Sequence, residues 1–159
     1  MLCEHILGTL QDTDTAGKTI VTVDIPWHDA FKKIHRLTAA DGQEVGIRMD
    51  DSILTRGLRQ GDVIYNDENT IVTVNIPACD AIRAEVRKDH PQQIAKLCYE
   101  VGNTHTTMFR GEDDFTFYIP YHESMMEKLS HIHGVSVEKV HIQFDFDKAL
   151  SSSINNHHH

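Results

Sequence analysis

Histidine is the residue type that stands out in this chain of 159 residues: there are 12, and three of them close it as His157-His158-His159. Imidazole is the commonest metal ligand near neutral pH. A closing triple histidine is also what an expression tag leaves behind, so it carries two readings. The most informative setting belongs to His105, in the run Cys98-Tyr99-Glu100-Val101-Gly102-Asn103-Thr104-His105. Ile94, Ala95, Leu97, Cys98 and Val101 recur near the helical period after Pro91, which is well placed to open a helix, and Gly102-Asn103 is a stop signal. His105 is therefore expected just past a helix C-terminus, held at a fixed exit angle yet exposed. One imidazole is too few to close a metal site, since structural zinc takes four protein ligands and catalytic zinc three. A two-fold dimer with His105 near its axis would present the residue twice at one point. Two imidazoles with open positions would hold an ion loosely. The residues alone also allow an ordinary surface or capping histidine, which is the commoner role.

Other candidates read more simply as structure. His131 and His133 flank Ile132 at the expected end of a second helix, where residues two apart point about 200° from each other. Interaction of their imidazolium forms with the helix C-terminus explains them better than chelation. His122 reads as a surface residue, and His5, His28, His35 and His141 have no ligand-like spacing. Cys98 reads as a small hydrophobe facing the core beside Ile94 and Val101. Cys79 lacks a CxxC partner. Met125-Met126 reads as core filling and Asp113-Asp114 as a solvated turn.

The elements that must position His105 fall into two stretches. Lys18–Asp24, Gly42–Met49, Asp62–Tyr65 and Asn69–Ile76 have the β-branched content of short strands, punctuated by Ala16-Gly17, Asp41-Gly42 and Gln60-Gly61-Asp62. They predict a small all-β domain over 1–76, a barrel or sandwich. Over 77–150 the pattern becomes a strand at Ala81–Arg87, the helix ending at Gly102, strands at Thr106–Phe109 and Phe115–Ile119, a helix over Tyr121–His133, and a strand at Val140–Phe146. That order, βαββαβ, is the ferredoxin-like arrangement. The fold class is thus α+β, with a polar His-bearing tail at 151–159 that is expected to be flexible.

Bulk properties restrict the function. A formal charge of -9 disfavours nucleic-acid binding, which needs basic surface, and suits cations. No apolar run approaches the roughly 20 residues that span a bilayer. The first residues lack the basic and long apolar regions of a signal peptide. Three widely spaced cysteines read as reduced thiols. A cytoplasmic protein without membrane or nucleic-acid partners is expected.

Gly102-Asn103-Thr104-His105 is similar to the Gly-Asn-Arg-His signature of the UreE family of urease accessory proteins. The resemblance extends over Ala95–His105, the acidic turn Glu112-Asp113-Asp114, and Tyr121–Val135 with its Met-Glu-Lys-Leu core. Leu58-Arg59-Gln60-Gly61-Asp62-Val63 resembles the Leu-Arg-x-Gly-Asp-x-Leu segment of the family's first domain. Almost the whole chain is covered. The resemblance implies a nickel-binding homodimer with His105 as the interface ligand and His157 and His159 as flexible extra ligands. It also implies partnership with urease apoprotein and with urease accessory proteins including a GTPase. The cargo would be Ni2+. Zn2+ or Cu2+ could substitute in vitro, because imidazole suits all three. The departure is Thr104, where the signature carries arginine: a guanidinium there would bond a partner or shape the interface field, and threonine cannot.

Two other functions compete. A metalloenzyme needs several fixed ligands and a general base, and the chain has no HExxH or comparable motif, so no catalytic residue is expected. The alternative is a peptide-binding co-chaperone of urease maturation, with the β-domain gripping a client and the metal incidental.

Overall fold

The computed structural model describes residues 1–151 and Ile154. The described chain divides into two compact units, one over Met1–Pro77 and one beginning at Ala78.

The first unit is built from seven strands: β1 (Leu2–Cys3), β2 (Gly8–Thr9), β3 (Thr19–Asp24), β4 (Ile34–Thr38), β5 (Glu44–Arg48), β6 (Asp62–Asn66) and β7 (Thr70–Asn75). They form a three-stranded sheet in the order β1-β5-β4 and a four-stranded sheet in the order β2-β6-β7-β3. The runs Thr-Ile-Val-Thr-Val in β3 and β7 lie side by side in parallel register, Ile20 opposite Ile71 and Val23 opposite Val74. Branched side chains suit that pleated surface. Val21 and Val23 are buried while Asp24 faces out, the alternation of a half-buried strand. β7 buries four consecutive residues, Ile71–Val74, because both its faces are covered.

A one-turn helix, α1 (Ile53–Arg56), interrupts the strands without an apolar repeat to announce it. Gly57 ends it with φ +71°, and a Cβ there would sit 2.8 Å from the ring of buried Phe31. Arg56 then reaches the buried Asp62 carboxylate through two parallel bonds of 2.6 and 2.8 Å, and Arg59 N–H donates a third at 2.8 Å. The Leu58–Val63 segment is thereby fixed by charge-assisted bonds to a side chain that water barely reaches.

The second unit runs β8 (Cys79–Val86), α2 (Gln93–Gly102), β9 (Phe109–Arg110), β10 (Thr116–Pro120), α3 (Glu123–Ser130) and β11 (Val135–Ile142). Its antiparallel sheet has the order β11-β8-β10-β9, the ferredoxin-like βαββαβ arrangement. Ile82, Ala84 and Val86 of β8 pack with Leu97 and Val101 of α2 and with Met125 and Leu129 of α3 in one core. Met125 is thus core filling, and Cys98 packs partly buried against the same cluster.

Three expectations needed correction. The last strand covers Val135–Ile142, not Val140–Phe146: β8 begins at Cys79, so the partner of Ile142 is the final rung of the ladder. The alternation beyond it reflects Phe144, which stacks on Phe109 at 4.3 Å between ring centres. The strand expected at Thr106–Phe109 shrinks to Phe109–Arg110, because only these two residues find partners on β10, Phe109 opposite Tyr118 and Arg110 opposite Phe117, while the Met108 carbonyl accepts instead from Leu150 N–H. The second helix ends at Ser130, so His131 caps it and His133 lies in the turn after it.

Candidate metal centre

α2 places its apolar face inward through Ile94, Leu97, Cys98 and Val101. Ala95, expected on that face, is exposed. Ala95, Tyr99 and Gly102, four and three residues apart, all lie exposed on one strip of the helix, with Tyr99 69% accessible. The helix continues through Gly102, and neither Gly102 nor Asn103 takes the left-handed conformation that the stop signal predicted. That conformation falls on His105, with φ +57°, the single non-glycine residue of positive φ among those described. Histidine tolerates this region better than most residues, though only glycine adopts it freely.

Local hydrogen bonds impose the turn. Asn103, Thr104 and His105 N–H groups donate to the carbonyls of Tyr99, Val101 and Gly102 at 2.8, 3.2 and 3.0 Å. The Thr104 hydroxyl donates to the Val101 carbonyl at 2.7 Å and lies 2.8 Å from the Thr106 hydroxyl. Threonine at the position of the signature arginine therefore closes the end of the helix and orients the residue after it. His105 itself is exposed at the corner. A hollow of 380 Å³ lined by His5, Asp50 and Arg56 lies in the first unit and does not include it. Nor does a groove of 210 Å³ bounded by Arg110, Tyr118 and Phe144. His105 stands on a surface.

His157 and His159 lie outside the described residues. Among the described residues no group of three or more His, Cys, Asp or Glu side chains converges as metal ligands. Burial pushes the thiols of Cys3, Cys79 and Cys98 up from their ordinary range, which keeps them protonated and poor ligands. His122 forms the N-cap of α3, its Nδ1 2.8 Å from the Ser124 hydroxyl. His141 Nδ1 pairs with Asp80 at 3.1 Å, and His35 Nε2 lies 2.9 Å from the Lys32 carbonyl. Asp113 accepts the Phe115 N–H at 2.9 Å, as a turn residue does.

One pairing escaped the sequence. His90, before α2, and His133, after α3, bring their Nε2 atoms to 3.1 Å. They are 43 residues apart. No spacing rule links them; only the βαββαβ topology, which puts the two connecting turns at the same end of the unit, could have done so.

Residues 3–77 match the family described as "UreE urease accessory protein, N-terminal domain", and residues 82–159 match its C-terminal domain. A urease accessory protein UreE of Helicobacter pylori (strain G27) is 33% identical over 157 residues, covering 97% of this chain and 88% of that protein. The Helicobacter acinonychis (strain Sheeba) protein of the same name matches to the same extent. The UreE of Acetivibrio thermocellus is 34% identical over 129 residues, covering 81% of this chain and 80% of that protein.

Proposed function

The chain belongs to the UreE family, accessory proteins and not enzymes, and from that premise we propose that it is a homodimeric nickel carrier that donates Ni2+ during assembly of the urease metallocentre. The observation that carries the reading is His105, exposed on a left-handed corner next to the apolar strip of Ala95, Tyr99 and Gly102. An exposed tyrosine flanked by small residues suits burial against a second copy, since aromatic rings supply much of the contact energy of interfaces. Pairing of α2 with α2 across a two-fold axis would bring the His105 rings together. Two imidazoles leave most coordination positions to water or to incoming ligands, which suits transfer more than retention. His157 and His159 would add ligands from the end of the chain. Ni2+ is the cargo; Zn2+ or Cu2+ would compete in vitro, because imidazole accepts all three and copper binds a given site more tightly than nickel.

Urease apoprotein and other accessory proteins, a GTPase among them, are the partners this role requires, with the first unit making the contacts. Its Ile34 is 72% exposed and Leu7 56%, side chains available to a client surface. The setting is the cytoplasm, where urease is assembled, and no helix among the described residues is long and apolar enough to cross a membrane.

Nickel calorimetry combined with light scattering tests the proposal. One tight ion per dimer is expected. His105→Gly should abolish it while preserving the dimer, because glycine accepts the same backbone conformation. A tight ion in every monomer, indifferent to His105→Gly, would defeat it.

A further inference from the structure

We propose that His90 and His133 form a second, self-contained site for a late first-row divalent cation within each protomer, distinct from His105. The two Nε2 atoms stand 3.1 Å apart. Two imidazole nitrogens bound to one ion at about 2.0–2.1 Å, at angles between octahedral and tetrahedral, lie about 2.8–3.4 Å apart. The observed spacing falls inside that range. The rings meet edge to face, 4.9 Å between centres and 62° between planes, with the two Nε2 atoms at the contact.

The surroundings fix both rings. His90 Nδ1 lies 2.9 Å from an Asp89 carboxylate oxygen, and both oxygens of Asp89 are engaged by Arg87 at 3.0 and 2.7 Å. A ligating histidine usually donates its second N–H to such a carboxylate, which leaves Nε2 as the coordinating atom. The turns are clamped as well. Arg87 N–H donates to the Gly134 carbonyl at 2.8 Å, and the Gln93 side-chain amide donates to the His133 carbonyl at 2.6 Å. Gly134 takes φ +80°, which favours glycine, and a Cβ there would crowd His90 Cβ at 3.2 Å. With the His90 Nδ1 proton directed at the Asp89 carboxylate, His90 Nε2 is the acceptor and His133 Nε2 the donor of the hydrogen bond that joins the pair. On coordination the His133 proton moves to Nδ1, which keeps the ring neutral. His133 is exposed and the His90 side chain is 23% accessible, so the remaining coordination positions open to water. Imidazole nitrogen selects ions of the Ni2+, Cu2+ and Zn2+ class over Mg2+ or Ca2+. The site lies before the first turn of α2 and His105 after its last. Ten helical residues rise about 15 Å, so one chain cannot use both on one ion.

Calorimetry on the full-length chain carrying His105→Gly and alanine at His157, His158 and His159 isolates the pair. Cu2+ and Ni2+ are the probes. One ion per chain is expected, with affinity at least tenfold weaker after His133→Gln and about tenfold weaker after Asp89→Asn, the usual effect of removing an outer carboxylate. His131→Gln, an exposed neighbour, should change nothing. Cu2+ spin resonance should show two equivalent imidazole nitrogens, falling to one in His133→Gln. Binding unchanged by His133→Gln, or no binding at all, would overturn the proposal and leave the pair as a hydrogen bond between turns. Because His105 is already absent from the background, neither result bears on the dimer-interface reading.

Discussion

His105 occupies a backbone conformation that costs most side chains on the order of 1–2 kcal/mol, and it is held there by the three N–H bonds that close α2. Replacement therefore has two separable effects. His105→Gly should raise thermal stability slightly, by relief of that strain, and lose metal. His105→Ala should lose metal and also melt lower than the glycine variant by about 1 kcal/mol, because alanine lacks glycine's freedom in this region. Paired melts with and without Ni2+ check both. Its exposed place just past α2 was legible because what sets that place is local in sequence, the apolar period of the helix; the left-handed turn, expected at Gly102-Asn103, was not, and falls on His105 itself. The pairing of His90 with His133 was not legible either, because their contact depends on where two turns are brought by the sheet. Histidine also sets a pH dependence in the first unit. Burial holds His35 below its ordinary value, so the unfolded chain binds its proton first. Its neutral form thus contributes stability that is present above about pH 6.5 and lost as pH falls from there through the folded value. His35→Gln should flatten the fall in melting temperature across that window.

At the scale of elements, signals that act along one segment survived and signals that depend on a partner did not. β3 and β7 were readable because branched residues favour a pleated sheet, and α2 because its inward side chains recur at the helical period. β11 was displaced by about five residues relative to its alternating run, since its length is set by the eight rungs available on β8. α1 has no amphipathic repeat, being a single turn of four residues. Two contacts at its C-terminal end hold it instead: Gly57 packs beneath Phe31, and Arg56 bonds to Asp62. Gly57→Ala should destabilise the unit by about 2–3 kcal/mol, from positive φ together with a Cβ driven into a buried ring. Arg56→Met should cost about 2–4 kcal/mol, less than for a fully buried pair because the arginine side chain is 37% exposed. Removing the carboxylate too, in Arg56→Met with Asp62→Leu, should recover part of the loss. Denaturant melts of the three variants test whether the pair holds α1 through charge or through packing.

For the whole molecule, the two proposed metal sites would differ in how they depend on assembly. An ion shared by two copies of His105 is linked to dimerisation: it can bind only the paired state, so it stabilises that state and its apparent affinity depends on protomer concentration. An ion held by His90 and His133 lies within one chain and has no such linkage. Dilution separates them. As protomer concentration drops below the dimer dissociation constant, the tight site should weaken and nickel should draw the chains back together, while the second site keeps a constant affinity and one ion per chain. Tyr99→Ala, which removes the exposed ring of the apolar strip, should shift the first equilibrium toward monomer and weaken the tight site in parallel, leaving His90 and His133 unaffected. The acidic surface, with a formal charge of -9, would favour cations at both and oppose association of like-charged protomers. Raising salt should therefore strengthen the dimer through screening while it weakens cation attraction at the isolated pair. Ultracentrifugation with Ni2+ titrated at several protein concentrations measures both trends. A tight site indifferent to dilution would show that it does not span the dimer, and a second site that weakens on dilution would show that it is not confined to one chain.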